Sequence, residues 1–293
     1  MQVLPHVSRP GRRAATALGV LGAALALTAT TPGVANAAPQ PDPHPLNVKP
    51  GQAYMGVGTR IHEGVPAEEP PRDLLAPTDG VQGIDVSNWQ GGINWTSVRN
   101  AGIQFAWMKA TEGTTYKDPR FNTNYPAAHA AGVIRGAYHF ALPNASTGAT
   151  QAAYFAANGG GWSRDNLTLP GVLDIEHNPY GAMCYGLSTT QMRTWISDFH
   201  TTYKARTSRD VVIYTTASWW NTCTGNWTGM ASRSPLWVAH WTSASSPTIP
   251  SGFPTWTAWQ YTSTGSVSGV SGDVDRDKFN GSRDRLLALA NNT

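Results

Sequence analysis

The chain has 293 residues, of which 40% are hydrophobic and only 13% are charged, and its formal net charge at pH 7 is +3. A small net charge without a basic run argues against nucleic acid as a partner. The chain contains 2 cysteines and 8 scattered histidines, a pattern that predicts no metal cluster. We expect no cofactor.

The N-terminus has the three regions of a secretory signal peptide. Basic residues at positions 9, 12 and 13 precede the apolar run Ala14–Ala29, and Ala35-Asn36-Ala37 supplies a small-residue cleavage site before Ala38. The apolar run is short for a membrane span and lacks a stop-transfer pattern. We therefore expect residues 1–37 to be removed on export, and the protein to be secreted, extracellular and without a membrane span.

Residues 38–78 are rich in proline and scattered charge and show no sustained period of 2 or 3.6. This composition predicts a disordered linker or a removable pro-segment. Residues 79–293 then form one folded domain with the size of a small α/β barrel. All 12 tryptophans lie in that part of the chain, where most should be core and some could support the faces of sugars.

The two cysteines, Cys184 and Cys223, are an even pair in a chain that is expected to be exported. Oxidising compartments favour a disulfide over two free thiols. Closing a loop of roughly 40 residues would stabilise the fold by about 3–4 kcal/mol in the chain-entropy model.

From Val81 onward, short apolar strands alternate with helices through the first five strands, and a turn is predicted at Trp219-Trp220. Residues 188–191 have the pattern of a capping box. Such alternation argues for a parallel sheet that right-handed crossovers curl into a barrel, and three helix-poor strands at the end make that barrel irregular. The predicted strands are 81–87, 104–109, 133–140, 170–176, 211–214, 236–241, 255–261 and 272–279, and the predicted helices are 95–100, 119–131, 147–158, 188–203 and 282–291.

Two carboxylates, Asp174 and Glu176, follow the apolar run of the fourth strand and are separated by one residue. In a strand they share a face, with Cα atoms roughly 6.5–7 Å apart. Repulsion and desolvation push the pKa values of such a pair apart, so that one carboxyl serves as an acid and the other as an anion. This division suits glycoside hydrolysis.

Further polar side chains fall at or just after the ends of the predicted strands. The set comprises Asp85, Glu112, Tyr138, Asp174, Glu176 and Tyr214. Because catalysis in parallel barrels takes place where the strands end, this coincidence favours an enzyme.

Six motifs in this order resemble the Chalaropsis-type lysozymes, glycoside hydrolase family 25, and especially its secreted N,O-diacetylmuramidases. They are Gly83-Ile84-Asp85-Val86-Ser87-Asn88-Trp89-Gln90, Lys109-Ala110-Thr111-Glu112-Gly113, Gly136-Ala137-Tyr138-His139-Phe140, Leu173-Asp174-Ile175-Glu176, Val212-Ile213-Tyr214-Thr215, and Trp259-Gln260-Tyr261 together with Val274-Asp275-Arg276-Asp277-Lys278-Phe279. The resemblance covers the chain from about residue 79 to its end.

The resemblance implies a flattened (βα)5β3 TIM-like barrel that cleaves the β-1,4 bond between N-acetylmuramic acid and N-acetylglucosamine in bacterial peptidoglycan. It implies that Glu176 is the general acid and that Asp174 acts on the 2-acetamido group or the developing cation. Asp85 and Asp275 match two further active-site carboxylates. Asp277 stands where the family has asparagine and would add negative charge beside Asp275.

Five other strand-end and motif residues are expected to bind the substrate: Glu112, Tyr138, Tyr214, Trp259 and Gln260. The expected partner is the glycan strand of peptidoglycan, and the enzyme is expected to act as a monomer.

Three alternative functions are compatible with parts of this sequence. A chitinase-like hydrolase also has Asp-x-Glu at a strand end, but Pro170 and Gly171 stand where its longer acidic signature would continue. A wall-binding module with an inert cleft would use its carboxylates only to bind sugar. A calcium loop over residues 273–284 lacks the required glycine at its sixth position, which is Lys278.

Overall fold

The protein is described by a computed structural model that covers residues 46–64 and 80–293. Its centre is a closed β-barrel, which confirms the predicted irregular (βα)5β3 architecture. The strands are β1 (Val81–Val86), β2 (Phe105–Glu112), β3 (Tyr116–Lys117), β4 (Ile134–Phe140), β5 (Val172–Asp174), β6 (Val212–Thr216), β7 (Leu236–Ala239), β8 (Ala258–Gly265) and β9 (Val274–Phe279).

The strands lie in the order β1-β9-β8-β7-β6-β5-β4-β2, and the pairing of β1 with β2 closes the ring. Only β9 among these strands runs antiparallel to its neighbours, β1 and β8. The short β3 folds back onto the end of β2 as a hairpin. Because the other ring strands are parallel, their carboxyl ends gather at one mouth of the barrel.

The helices are α1 (Val57–His62), α2 (Trp95–Asn100), α3 (Phe121–Ala130), α4 (Gly148–Ala157), α5 (Thr189–Thr207), α6 (Ala217–Thr224) and α7 (Arg283–Asn291). Five of the helices, α2 to α6, lie between successive barrel strands, as the alternation predicts. The predicted capping box begins α5, where the Ser188 side chain accepts from the Gln191 amide and the Gln191 side chain returns a bond to the Ser188 backbone. Among the described residues, none of these helices is long and apolar enough to cross a membrane.

Apolar side chains fill both the barrel and the layer between barrel and helices. Inside the barrel, Trp107 stacks on Trp237 with ring centroids 4.2 Å apart. Outside it, rings such as Phe155 and Phe199 pack between the sheet and helices α4 and α5. Most of the tryptophans are therefore core residues, as composition indicated.

Two local predictions are wrong. Trp219 and Trp220 lie in α6 rather than in a turn, because the Thr216 side chain caps that helix by accepting from the Trp219 amide. Thr111 and Glu112 belong to β2 rather than to a loop, because β3 pairs back onto them.

The alternative reading of residues 273–284 as a calcium loop gains no support in the described part of the chain. Asp275 and Asp277 lie within strand β9, and Asp284 lies in the first turn of α7, so that these carboxylates do not surround one point as loop ligands would.

The predicted disulfide is present. Cys184 and Cys223 are bonded, with their Cα atoms 5.4 Å apart. The bridge joins the segment after β5 to helix α6, which follows β6, and both lie beside the mouth of the barrel that collects the strand ends.

The interpretation of residues 38–78 as a disordered linker is wrong for residues 46–64. This stretch contains α1 and packs on the barrel, and Ala53, Met55 and Val57 have no exposed surface. The signal-peptide region 1–37 lies outside the described residues, and removal of the pro-segment stays a prediction.

Candidate active site

Strand β5 brings the two central carboxylates to the mouth of the barrel. Asp174 is the last residue of β5, in register with Phe140 on one side and Tyr214 on the other. The chain continues extended for one residue, since the Ile175 amide donates to the Tyr214 carbonyl. Glu176 follows, and both carboxyls are buried. The sequence-based expectation that they lie side by side agrees with their mutual electrostatic influence.

Glu176 is a buried carboxyl with an elevated pKa. Burial raises its pKa from 4.5 to about 8, and backbone N–H groups that donate to it act in the opposite direction. The Gly56 amide donates to Oε1 at 2.6 Å, and the Thr59 amide donates to Oε2 at 3.3 Å. A carboxyl held protonated near neutral pH is suited to general acid catalysis.

Asp174 differs from Glu176 in its surroundings. Neither of its carboxyl oxygens has a hydrogen-bond partner among the described residues. Burial and the nearby charge of Glu176 raise its pKa, while the ammonium group of Lys109 lowers it. A buried carboxyl without protein partners is unusual and favours a role toward a ligand.

Closure of the barrel brings Asp85 and Asp275 together. They face each other across the antiparallel pair β1–β9, and their carboxyls share a hydrogen bond. Such a bond requires a proton on one of the two groups. Burial and Asp275 raise the pKa of Asp85, and the Gln260 amide nitrogen donates to its Oδ2 at 2.7 Å.

Gln260 links this carboxyl pair to the opposite wall of the barrel. Its Oε1 accepts from the Tyr214 hydroxyl at 2.7 Å and from the Trp241 indole nitrogen at 3.0 Å. Both groups point toward the strand ends, and Trp241 was not predicted from the sequence. The structure therefore brings Gln260 and Tyr214 to the site, as expected of substrate-binding residues.

Asp277 is buried two residues beyond Asp275 on the same strand. Its Oδ1 accepts from the Trp237 indole nitrogen at 3.0 Å. Burial, together with Asp85 and Asp275, raises its pKa well above the usual range. The expected addition of negative charge beside Asp275 stays a prediction, and the raised pKa of Asp277 acts against it.

Glu112 forms a buried ion pair that the sequence did not indicate. Its Oε2 accepts from Lys109 Nζ at 2.6 Å, and both side chains are almost fully buried. Its Oε1 accepts from the Tyr180 hydroxyl at 2.7 Å. The spacing of the two residues gave no signal, because residues three apart on a regular strand face opposite sides, and β2 has an irregularity between Lys109 and Thr111.

The two remaining residues that were predicted to contact the substrate lie on different sides of the barrel wall, Tyr138 inside and Trp259 outside. The buried Tyr138 hydroxyl has no partner among the described residues, which fits a ligand contact. Trp259 packs instead against Trp256 and Tyr261 in the layer outside the barrel, and its indole nitrogen donates to the His240 carbonyl. Because successive residues of a strand point to opposite faces, Gln260 and Trp259 cannot both face the site.

An irregular βα barrel that buries acidic side chains where its strands end, one of them with an elevated pKa, is the framework of a glycoside hydrolase. The sequence profile of the glycosyl hydrolases family 25 matches residues 84–270. The chain belongs to this family, as the resemblance implied.

Relatives support the same assignment. Lysozyme M1 of Streptomyces globisporus is 68% identical over 296 residues, and the match covers 100% of each chain. The N,O-diacetylmuramidase of a Chalaropsis species is 43% identical over 205 residues, covering 68% of this chain and 97% of that one. The crystal structure of the bacterial lysozyme from Streptomyces coelicolor is 77% identical, with a TM-score of 0.73, and the match covers 74% of this chain and 99% of that structure.

Proposed function

We propose that this protein is a lysozyme that hydrolyses the β-1,4 bond between N-acetylmuramic acid and N-acetylglucosamine in bacterial peptidoglycan. The observation that carries the proposal is the pair Asp174 and Glu176 at the end of β5, with the pKa of Glu176 raised to about 8. Membership in family 25 and the similarity to chains named lysozyme and muramidase agree with it. No observation favours the chitinase-like hydrolase or the wall-binding module over a lysozyme.

Glu176 is the general acid. Its proton passes to the glycosidic oxygen as the bond from that oxygen to the anomeric carbon breaks, and N-acetylglucosamine leaves with a free hydroxyl. The oxygen of the muramic 2-acetamido group attacks the anomeric carbon in its place. Asp174 accepts from the acetamido N–H and stabilises the positive charge that forms there. Its two unpartnered oxygens suit that contact.

Water then opens the cyclic intermediate and returns a proton to Glu176, which gives net retention of configuration. Substrate-assisted attack is a recognised exception to the scheme with two catalytic carboxylates. Asp85 and Asp275 hold the far side of the site through their shared proton and the bond to Gln260. In the alternative, one of these two carboxylates activates water for direct, inverting attack.

Substrate contacts are assigned to Glu112, Tyr138, Tyr214 and Gln260, whose polar groups reach the mouth of the barrel. Trp259 is withdrawn from this group because its indole packs outside the barrel. The chain is further proposed to be exported through a signal peptide at 1–37, with a pro-segment at 38–78 and the catalytic barrel at 79–293, and to act as a monomer.

The test is digestion of purified peptidoglycan by a chain that begins at Thr78, followed by identification of the new reducing ends. Such a chain retains every barrel strand, and almost the whole Streptomyces coelicolor structure corresponds to three quarters of this protein. Muramic acid at the reducing ends is expected. Glucosamine there would favour the chitinase-like reading, and wall binding without new reducing ends would favour the inert module.

A further inference from the structure

We propose that residues 46–64, the inhibitory segment, are an internal inhibitor that fills the glycan-binding cleft until the chain is cut behind them. The inference rests on the proposed function, because it takes Glu176 as the general acid. It assigns the mouth of the barrel a peptide partner, which is part of the same chain, and it makes the uncut protein an inactive precursor.

The inhibitory segment covers both oxygens of the general acid. The Gly56 amide lies 2.6 Å from Oε1 of Glu176, and the Thr59 amide and hydroxyl lie 3.3 and 3.4 Å from Oε2. A general acid must come within hydrogen-bond distance of the glycosidic oxygen. No glycosidic oxygen can reach either oxygen of Glu176 while these donors occupy them.

A second group of contacts holds the start of the segment against the buried ion pair. Lys109 Nζ donates to the carbonyl of Gly51, at 3.3 Å, and to the carbonyl of Ala53. The Gly51 amide donates to Oε1 of Glu112 at 2.7 Å, and the Tyr180 hydroxyl lies 3.1 Å from the Ala53 amide. The segment thus bonds to the Glu112 carboxylate, which the proposed function assigns to the substrate.

The end of the segment is fixed at the opposite wall. Glu63 forms an ion pair with His177 at 2.9 Å and contacts the Ser218 hydroxyl. Arg60 donates to the Ser263 hydroxyl at 2.6 Å, and its guanidinium lies over the ring of Trp241. These contacts come from β8, from helix α6 and from the loops after β5 and β7, so that the segment spans the mouth of the barrel.

Apolar contacts seat the middle of the segment. Met55 joins the cluster that fills the barrel interior, together with Tyr138 and Tyr214. Beside the segment a pocket of about 350 Å³ stays open, with Thr59 and Glu63 on one wall and Ser218 on the other. Segment residues therefore form part of the wall of this pocket.

One position allows the segment to be weakened without altering the barrel. Gly58 lies in α1 and is buried against the chain that carries the general acid, and a Cβ placed there would meet the His177 carbonyl oxygen at 1.9 Å. Gly58→Ala must therefore push α1 away from Glu176. Ile61→Ala is the matched control, because Ile61 is exposed in the same helix.

The experiment compares wall lysis by the 38–293 chain, its Gly58→Ala and Ile61→Ala variants, and the chain beginning at Thr78. The parent 38–293 chain is expected to lyse walls at least about 100-fold more slowly than the Thr78 chain, and Gly58→Ala to recover about tenfold or more of the difference. Ile61→Ala should match the parent. Equal lysis by the 38–293 and Thr78 chains, or no gain in Gly58→Ala, overturns the inhibitor.

A cleavable chain keeps the test independent of how the truncated form folds. A specific protease site placed between residues 64 and 80 lets the complete chain fold first, and cutting followed by dilution should then raise lysis by the same factor. Lysis that is already maximal before the cut contradicts the inhibitor but leaves the lysozyme proposal intact. If the cut, diluted and still folded protein releases no reducing ends, the proposed function itself fails.

Discussion

The acid role of Glu176 can be tested through the pH dependence of kcat/KM. In the complete chain, where its pKa is about 8, Glu176 is about 99% protonated at pH 6, against about 3% for a glutamate at the ordinary value of 4.5, so that burial raises the protonated fraction about 30-fold. The acid must be protonated to act, so activity is retained below its pKa and falls as the pH rises through it.

The pH at which kcat/KM falls on the alkaline side, the alkaline limb of the profile, depends on how Glu176 is buried. In the complete chain, Gly56 and Thr59 contribute to the burial of Glu176 and also donate to it. For the chain beginning at Thr78, which lacks both residues, the limb is expected between 4.5 and about 8. The assay is kcat/KM for a soluble peptidoglycan fragment and for an activated aryl glycoside from pH 4 to pH 10.

Glu176→Gln supplies the decisive comparison, because it removes the proton with little change of shape. The fragment should lose about 10²–10⁴-fold in kcat/KM, and the aryl glycoside, whose leaving group needs little acid help, should lose less. The alkaline limb should vanish from the residual activity. A limb that persists in Glu176→Gln, or an equal loss for both substrates, would refute the acid role. Asp174→Asn is the matched variant, and it should reduce both substrates alike.

Three further predictions follow from other parts of the structure. NMR of the first-formed product should show the β-anomer, and an initial α-anomer would end the retaining proposal. Removal of the Cys184–Cys223 bridge, which spans 39 residues, should lower the free energy of unfolding by about 4 kcal/mol, read as a drop in Tm of about 8–16 °C, and an unchanged Tm would contradict this. Asp277→Asn should raise stability by an amount that grows as the pH rises above about 4, because a pKa that is raised in the folded state makes the parent lose stability from the ordinary value of 3.8 up to that raised pKa; denaturant unfolding at pH 4 and pH 8 measures this, and an equal gain at both pH values would contradict it.

Local sequence signals determined much of the fold. Capping residues such as Ser188 fix where helices begin, and apolar runs that end in carboxylates, as at Asp174, mark the barrel strands and their active ends. These signals depend on neighbours within a few residues, so they can be read without knowing what lies across the sheet. The Trp219-Trp220 helix was missed although Thr216 stood at the correct distance for a cap.

The long-range pairings were decided by the tertiary structure alone. Asp85 and Asp275 lie opposite each other because the last strand closes against the first, a contact that no local pattern encodes. The choice between Gln260 and Trp259 depended on which face of β8 turns inward.

The inhibitory segment is the clearest case of order that local sequence signals do not predict. Residues 46–64 have no sequence period, and their short helix is too small to be stable alone, so composition predicted disorder. Their order comes from the barrel, which supplies Glu176, Lys109 and His177 as partners for the backbone and for Glu63. The sequence by itself predicted the carboxylates of the candidate site, and only the folded chain shows that the segment 46–64 bonds to two of its acidic side chains, Glu176 and Glu112.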